Sequence, residues 1–118
     1  MAKYLILIYG DEQQWENSSP EETDRIHQGH ASLMAGAGDK VLGGHQLHPS
    51  AMATTLRAGT NGRPAVTDGP FLETKEGIGG YYLIEAADLD AAVAWAGQLP
   101  EVGADHSGVE IRPVMETS

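Results

Sequence analysis

The sequence predicts an α+β domain built as a ferredoxin-like sheet with two helices on one face. Three observations predict it. Lys3 to Tyr9 and Gly80 to Ala86 are apolar runs with strand composition. Ser19-Pro20 and Asp88 are helix-start signals. The elements then follow the order β-α-β-(hairpin)-β-α-β, two βαβ-like halves.

The 118 residues suit one ordinary domain, and no shift in composition marks a second, so residues 1–118 are read as a single unit. A hydrophobic content of 41% is enough for a core, and with only 6% aromatic residues that core must be mostly Leu, Ile, Val and Ala. The absence of cysteine excludes disulfides, thiolate metal sites and a Cys nucleophile, and fits a cytoplasmic location. The apolar opening is too short for a membrane span and has no small-residue cleavage site after it, so no signal peptide and no membrane partner are expected. A net charge of −10, with seven scattered Lys and Arg residues, repels a phosphate backbone, so no nucleic-acid partner is expected either.

Lys3 to Tyr9 does not alternate. A continuous apolar run of this kind belongs to a strand covered on both faces, and Gly10-Asp11 ends it. Ser19 then caps a helix, with Pro20 at its first position and Glu22 completing a capping box. Ile26, Leu33 and Ala37 lie near one face, and the glycines at 29, 36 and 38 end this helix by about Asp39. Val41-Leu42 opens a second strand and Ala53 to Ala58 forms a third. Thr60-Asn61-Gly62-Arg63 is a turn, with Pro64 to Thr67 as the other arm of a short hairpin. Asp68-Gly69-Pro70 breaks that arm, Phe71 (the chain's one Phe) anchors the turn, and residues 72–79 read as a charged loop. After Gly80 to Ala86, Asp88 caps a helix whose core face is Leu89, Val93 and Ala96, with Trp95 and Leu99 beside it. Pro100 stops the helix and 101–108 is loop. Val109 to Val114 alternates cleanly, Val109 and Ile111 on one side and Glu110 and Arg112 on the other.

Two helices cover one face of such a sheet, yet the two apolar strands ask for cover on both. No element remains to supply it. The economical answer is a second copy packed sheet to sheet, a homodimer.

Few residues can carry chemistry. His27 and His30, three apart, occupy neighbouring positions of one helix face, and His is the usual acid–base group near neutral pH. His45 and His48 face opposite sides of a regular strand. A metal on His30 and His45 is conceivable, but the spacing matches no known ligand set, so no metal is expected. His106 reads as surface. Asp68 is first a turn residue whose carboxylate accepts backbone N–H bonds; its functional reading is a carboxylate that orients a His or holds a substrate proton. Gly77, Gly79 and Gly80 make no phosphate loop, because no Gly-Lys-Ser/Thr follows and the next element is a strand. No Ser sits in a nucleophile elbow. No cofactor motif is present, and none is expected.

The blocks Thr67-Asp68-Gly69-Pro70-Phe71, Glu73-Thr74-Lys75-Glu76, Gly79-Gly80-Tyr81-Tyr82 and Val109-Glu110-Ile111-Arg112-Pro113-Val114 resemble the YCII-related family in its DGPF subgroup. The opening Tyr4 to Glu12, and Leu42-Gly43-Gly44 with Leu47 and Pro49, resemble it too, so the likeness spans nearly the whole chain. The resemblance implies a dimeric α+β barrel with an active site at the barrel mouth, formed by a helix His and an Asp. The family's His-x-x-Phe-like pattern falls best on His30, with Leu33 where an aromatic is common; His27 is the alternative. Asp68 is the Asp of the motif. Reactions are poorly defined across such proteins. Dehydrochlorinase-type elimination is associated with the broader family, and proteins similar to the DGPF subgroup are often linked to extracytoplasmic-function sigma factors.

Two functional expectations follow. One is a cofactor-independent acid–base enzyme, a lyase or isomerase acting on a small cyclic or enolisable molecule. His30 moves the proton, Asp68 orients it, and Lys75, Tyr81 and Arg112 are the candidate substrate-binding residues. The other is a non-catalytic ligand-binding or regulatory module, linked to a transcription factor.

Overall fold

The two apolar runs become the two central strands of a four-stranded antiparallel sheet. The computed structural model describes residues 1–116. In chain order the elements are β1 (Ala2–Asp11), α1 (Glu12–Glu16), α2 (Pro20–Ala37), β2 (Val41–Gln46), β3 (Thr54–Ala58), β4 (Pro64–Asp68), β5 (Glu76–Ala86), α3 (Leu89–Ala96) and β6 (Ser107–Pro113). The main sheet has the order β2-β5-β1-β6, the ferredoxin-like arrangement, while β3 and β4 form a separate two-stranded sheet.

Register decides which side chains face the helices. Tyr4 pairs with Ile84, Ile6 with Tyr82 and Ile8 with Gly80, and directly opposed residues share a face. Tyr4, Ile6, Ile8, Ile84 and Ala86 are buried there, together with Ala92, Ala96 and Leu99. Ile6 has no exposed surface at all; burying a side chain of that size contributes about 1.5–3 kcal/mol. The opposite face carries Leu5, Leu7, Tyr81 and Leu83, which remain partly exposed in the single chain. One chain therefore covers one face of these strands more completely than the other.

The helix signals act where they stand. The Ser19 hydroxyl accepts from the Glu22 N–H at 3.1 Å, Pro20 opens α2, and Gly38 closes it at a φ of 60°. Asp88 caps α3, its carboxylate accepting from the Ala91 N–H at 2.9 Å. The core face of α3 differs from the expected one: Ala92 and Ala96 are buried, whereas Leu89 and Val93 are half exposed. The small alanines let this short helix lie close to the sheet, which turns the larger side chains outward. Strand β5 begins at Glu76, so the end of the expected 72–79 loop is strand paired with Gly10 and Asp11.

Helix α1 was not expected from the sequence. Asp11 caps it, accepting from the Gln13 N–H at 3.0 Å. Its anchor is Trp15. A Cβ on Gly10 would stand 2.2 Å from the indole, and one on Gly79 would stand 2.5 Å from it, so the ring lies on a bed of two glycines from adjacent strands. The indole N–H donates to the Ser107 hydroxyl at 3.0 Å.

The hairpin of β3 and β4 projects as an arm. Asn61 and Gly62 both have positive φ, 56° and 73°, the requirement of a type I′ turn between twisted strands. At its base the Gly69 N–H donates to Ala53 C=O at 2.7 Å and the Thr55 hydroxyl donates to Gly69 C=O at 2.7 Å. Gly69 sits at a φ of 107°, which strongly favours glycine. Phe71 does not anchor this turn by burial. It is 59% exposed, with the Arg57 guanidinium 3.9 Å above its ring. The radius of gyration is 16.3 Å. A compact chain of this length has about 13.5 Å, so the molecule is more extended than a compact chain.

Candidate functional site

Helix α2 crosses the sheet without burying any residue completely, and the space left beneath it is a cavity of about 510 Å³. Ile8, Trp15 and Tyr82 line it from the sheet side; Ile26, His30 and Met34 line it from α2. Gly44, Gly79 and Gly80 also border it. Gly44 leaves no room for a side chain: a Cβ there would stand 2.6 Å from the Tyr82 ring and the same distance from the Tyr81 carbonyl oxygen.

His30 is engaged at both ring nitrogens. Its Nδ1 lies 2.6 Å from the Tyr82 hydroxyl, and its Nε2 lies 2.9 Å from both carboxylate oxygens of Glu101. A carboxylate only accepts, so Nε2 carries a proton; in the neutral imidazole Nδ1 then accepts from the Tyr82 O–H. The result is an ordered chain, Tyr82–His30–Glu101. Glu101 is almost buried, in the turn 100–103 that Pro100 begins, and this turn packs against α2. A Cβ on Gly29 would stand 2.5 Å from the Pro100 ring, so the glycine beside His30 lets helix and turn approach closely. Tyr82 stacks on the His30 ring at 5.8 Å and meets Trp95 edge-on at 5.4 Å. Burial pushes the Tyr82 hydroxyl above its usual pKa, and the neighbouring Glu101 carboxylate raises it further.

The expected site residues fall in different places. His30 and His27 line the cavity; His45 and Tyr81 border it too, although they oppose each other on the other face of the sheet. Asp68 does not border it: it is exposed at the end of β4, carried off by the arm, and the position beside His30 is held by Glu101. Lys75 is largely exposed, 3.9 Å from Asp11, and Arg112 pairs with Glu110 on the open face of the sheet. Neither cation borders the His30 cavity. Among the described residues, no group of three or more His, Cys, Asp or Glu side chains is arranged to hold a metal ion, and no helix is long and apolar enough to cross a membrane.

Sequence reasoning missed Glu101 and Tyr82. Glu101 stands in a short turn with no motif around it. Tyr82 was readable by parity: it opposes Ile6, and the alternation of β5 sends it to the helix face that Tyr81 avoids.

Two comparisons agree on kinship. The YCII-related domain family matches residues 2–118. An uncharacterized protein of Rhizobium meliloti is 36% identical over 116 residues, covering 94% of this chain and 90% of the relative. With the ferredoxin-like sheet and a match over nearly its full length, the chain belongs to the YCII-related family.

Proposed function

We propose that this protein is a cofactor-independent acid–base enzyme, a lyase or isomerase that moves a proton on a small cyclic or enolisable molecule. The observation that carries the reading is the Tyr82–His30–Glu101 chain on the wall of a cavity large enough for such a molecule. Glu101 fixes the His30 tautomer and stabilises the imidazolium that forms when Nδ1 takes a proton. Tyr82 and His30 both line the cavity, with the Tyr82 hydroxyl 2.6 Å from Nδ1. Because the pKa of Tyr82 is raised, it works as a hydroxyl: it passes its proton to Nδ1 as it takes one from the substrate, and the reverse on return. Trp15, held on its glycine bed, offers a flat apolar wall to a ring. Asp68-Gly69-Pro70-Phe71 supports placing the chain in the DGPF subgroup, and the half-covered sheet supports a working unit of two copies.

The test is a turnover screen of small hydroxylated aromatic and enolisable acids with the wild type and His30→Gln. Loss of general acid–base catalysis lowers the rate by about 10²–10⁴, in a variant that keeps wild-type circular dichroism. Unchanged turnover in His30→Gln sinks the assignment. Binding of a ligand in the cavity with no product from any compound would favour the ligand-binding reading instead.

A further inference from the structure

Among the described residues, none covers the apolar face of the β3–β4 arm. Leu56 pairs with Val66 and Ala58 with Pro64, and opposed residues share a face. Leu56 is 58% exposed and Val66 62%, with Leu72 at 67% just past the base. The two strands pack on each other and on no other strand or helix to any substantial extent. A lone two-stranded hairpin is marginal in water, so an arm of this length and exposure calls for a surface to lie on.

Charge says which surface. The arm carries Arg57 and Arg63 against one acid, Asp68, in a chain of net charge −10. The rest of the chain is therefore strongly acidic. Its acids crowd the α1–α2 end, where Glu12, Glu16, Glu21 and Glu22 stand. That end is also where the arm is rooted, since Glu12 accepts from the Ser50 N–H at 2.7 Å in the segment leading to β3. Arg57 stands on the other face of the arm from Leu56, over the Phe71 ring and donating to the Phe71 carbonyl; Arg63, at the tip, forms no ion pair with a carboxylate of its own chain among the described residues.

We propose that the arm is a clasp for a second copy of this chain, with the Leu56–Val66 face laid on the partner and Arg63 at the arm's tip meeting the partner's acidic α1–α2 end. The inference rests on the two-copy reading above and adds a second attachment to it. Open sheet faces alone would join two copies at one surface; the clasp fixes their rotation and places the arm of each beside the cavity end of the other.

The experiment is light scattering on the full chain across a dilution series, for the wild type and for Leu56→Asp/Val66→Asp. A wild-type dimer and at least a tenfold weaker dimer in the variant, with unchanged circular dichroism, are expected. Raised salt should weaken the wild type in the same direction. A wild type that stays monomeric overturns both the two-copy reading and the clasp. A variant that dimerises as tightly as the wild type overturns the clasp alone. A second measurement does not depend on the folding of that variant: Thr60→Cys introduces the chain's one cysteine, for a benzophenone label at the arm tip. Photolysis should give a covalent two-copy band, and capture only within one chain would overturn the proposal.

Discussion

The body of the domain and the β3–β4 arm treat apolar side chains in opposite ways. In the body, Ile6, Ile84 and Leu99 are almost wholly removed from water between the sheet and the helices. In the arm, Leu56 and Val66 lie more than half exposed, although their strands are regularly paired. Hydrogen-bonded pairing is thus enough to shape a hairpin but not to bury it. The body gains its stability within one chain; the arm has its turn, its Gly69 base and the Arg57–Phe71 contact, and little else. The difference teaches where each region's sequence constraints come from: packing in the body, conformation and association in the arm.

The comparison breaks most visibly at its extremes. Ile6→Ala should cost about 2–5 kcal/mol in urea unfolding, because a fully buried site leaves a cavity. Leu56→Ala, measured at a concentration where the chain is a monomer, should stay within about 0.5 kcal/mol of wild type. A large loss for Leu56→Ala in the monomer would mean that the arm packs on its own body after all.

Much of the body was legible because its signals are local. The apolar runs, the Ser19-Pro20 cap and the Asp88 cap each specify their element with residues a few positions apart, as the Asn61-Gly62 turn does in the arm. What stayed hidden depends on long-range register. Helix α1 is five residues long, and its hold on the sheet is one tryptophan on glycines from two strands, Gly10 and Gly79. Glu101 reaches His30 across 71 residues of chain, so no spacing rule points to the pair. Asp68 shows the converse. Its motif is conspicuous in sequence, yet within one chain its geometry serves the base of the arm. The likeness to the family placed His30 on the helix, and the structure adds that its carboxylate partner is a glutamate from another turn.

The glycine bed supplies a test of intermediate size. Gly79→Val puts a side chain where the Trp15 ring lies. Overpacking of this kind should cost about 1–3 kcal/mol, and Trp15 should leave its place, shifting its fluorescence toward that of an exposed indole. An unmoved spectrum would mean that α1 does not depend on this contact.

The smallest effect is the most specific. The Tyr82 hydroxyl is held above its ordinary pKa of about 10, first by burial and then by Glu101. A raised folded-state pKa means that the folded chain keeps this proton where the unfolded chain loses it. The contribution is fully present below the unfolded pKa of about 10, and it is lost as pH climbs through the higher folded value. Tyr82→Phe removes the hydrogen bond to Nδ1 and should cost about 1 kcal/mol at neutral pH. Above pH about 10 the wild type should lose stability more steeply than the variant, so the two unfolding curves converge. The arm cannot produce this convergence, because none of its side chains is a tyrosine. Parallel loss in both proteins would show that Tyr82 titrates as freely when folded as when unfolded, and would remove the closed hydroxyl on which the proposed proton path depends.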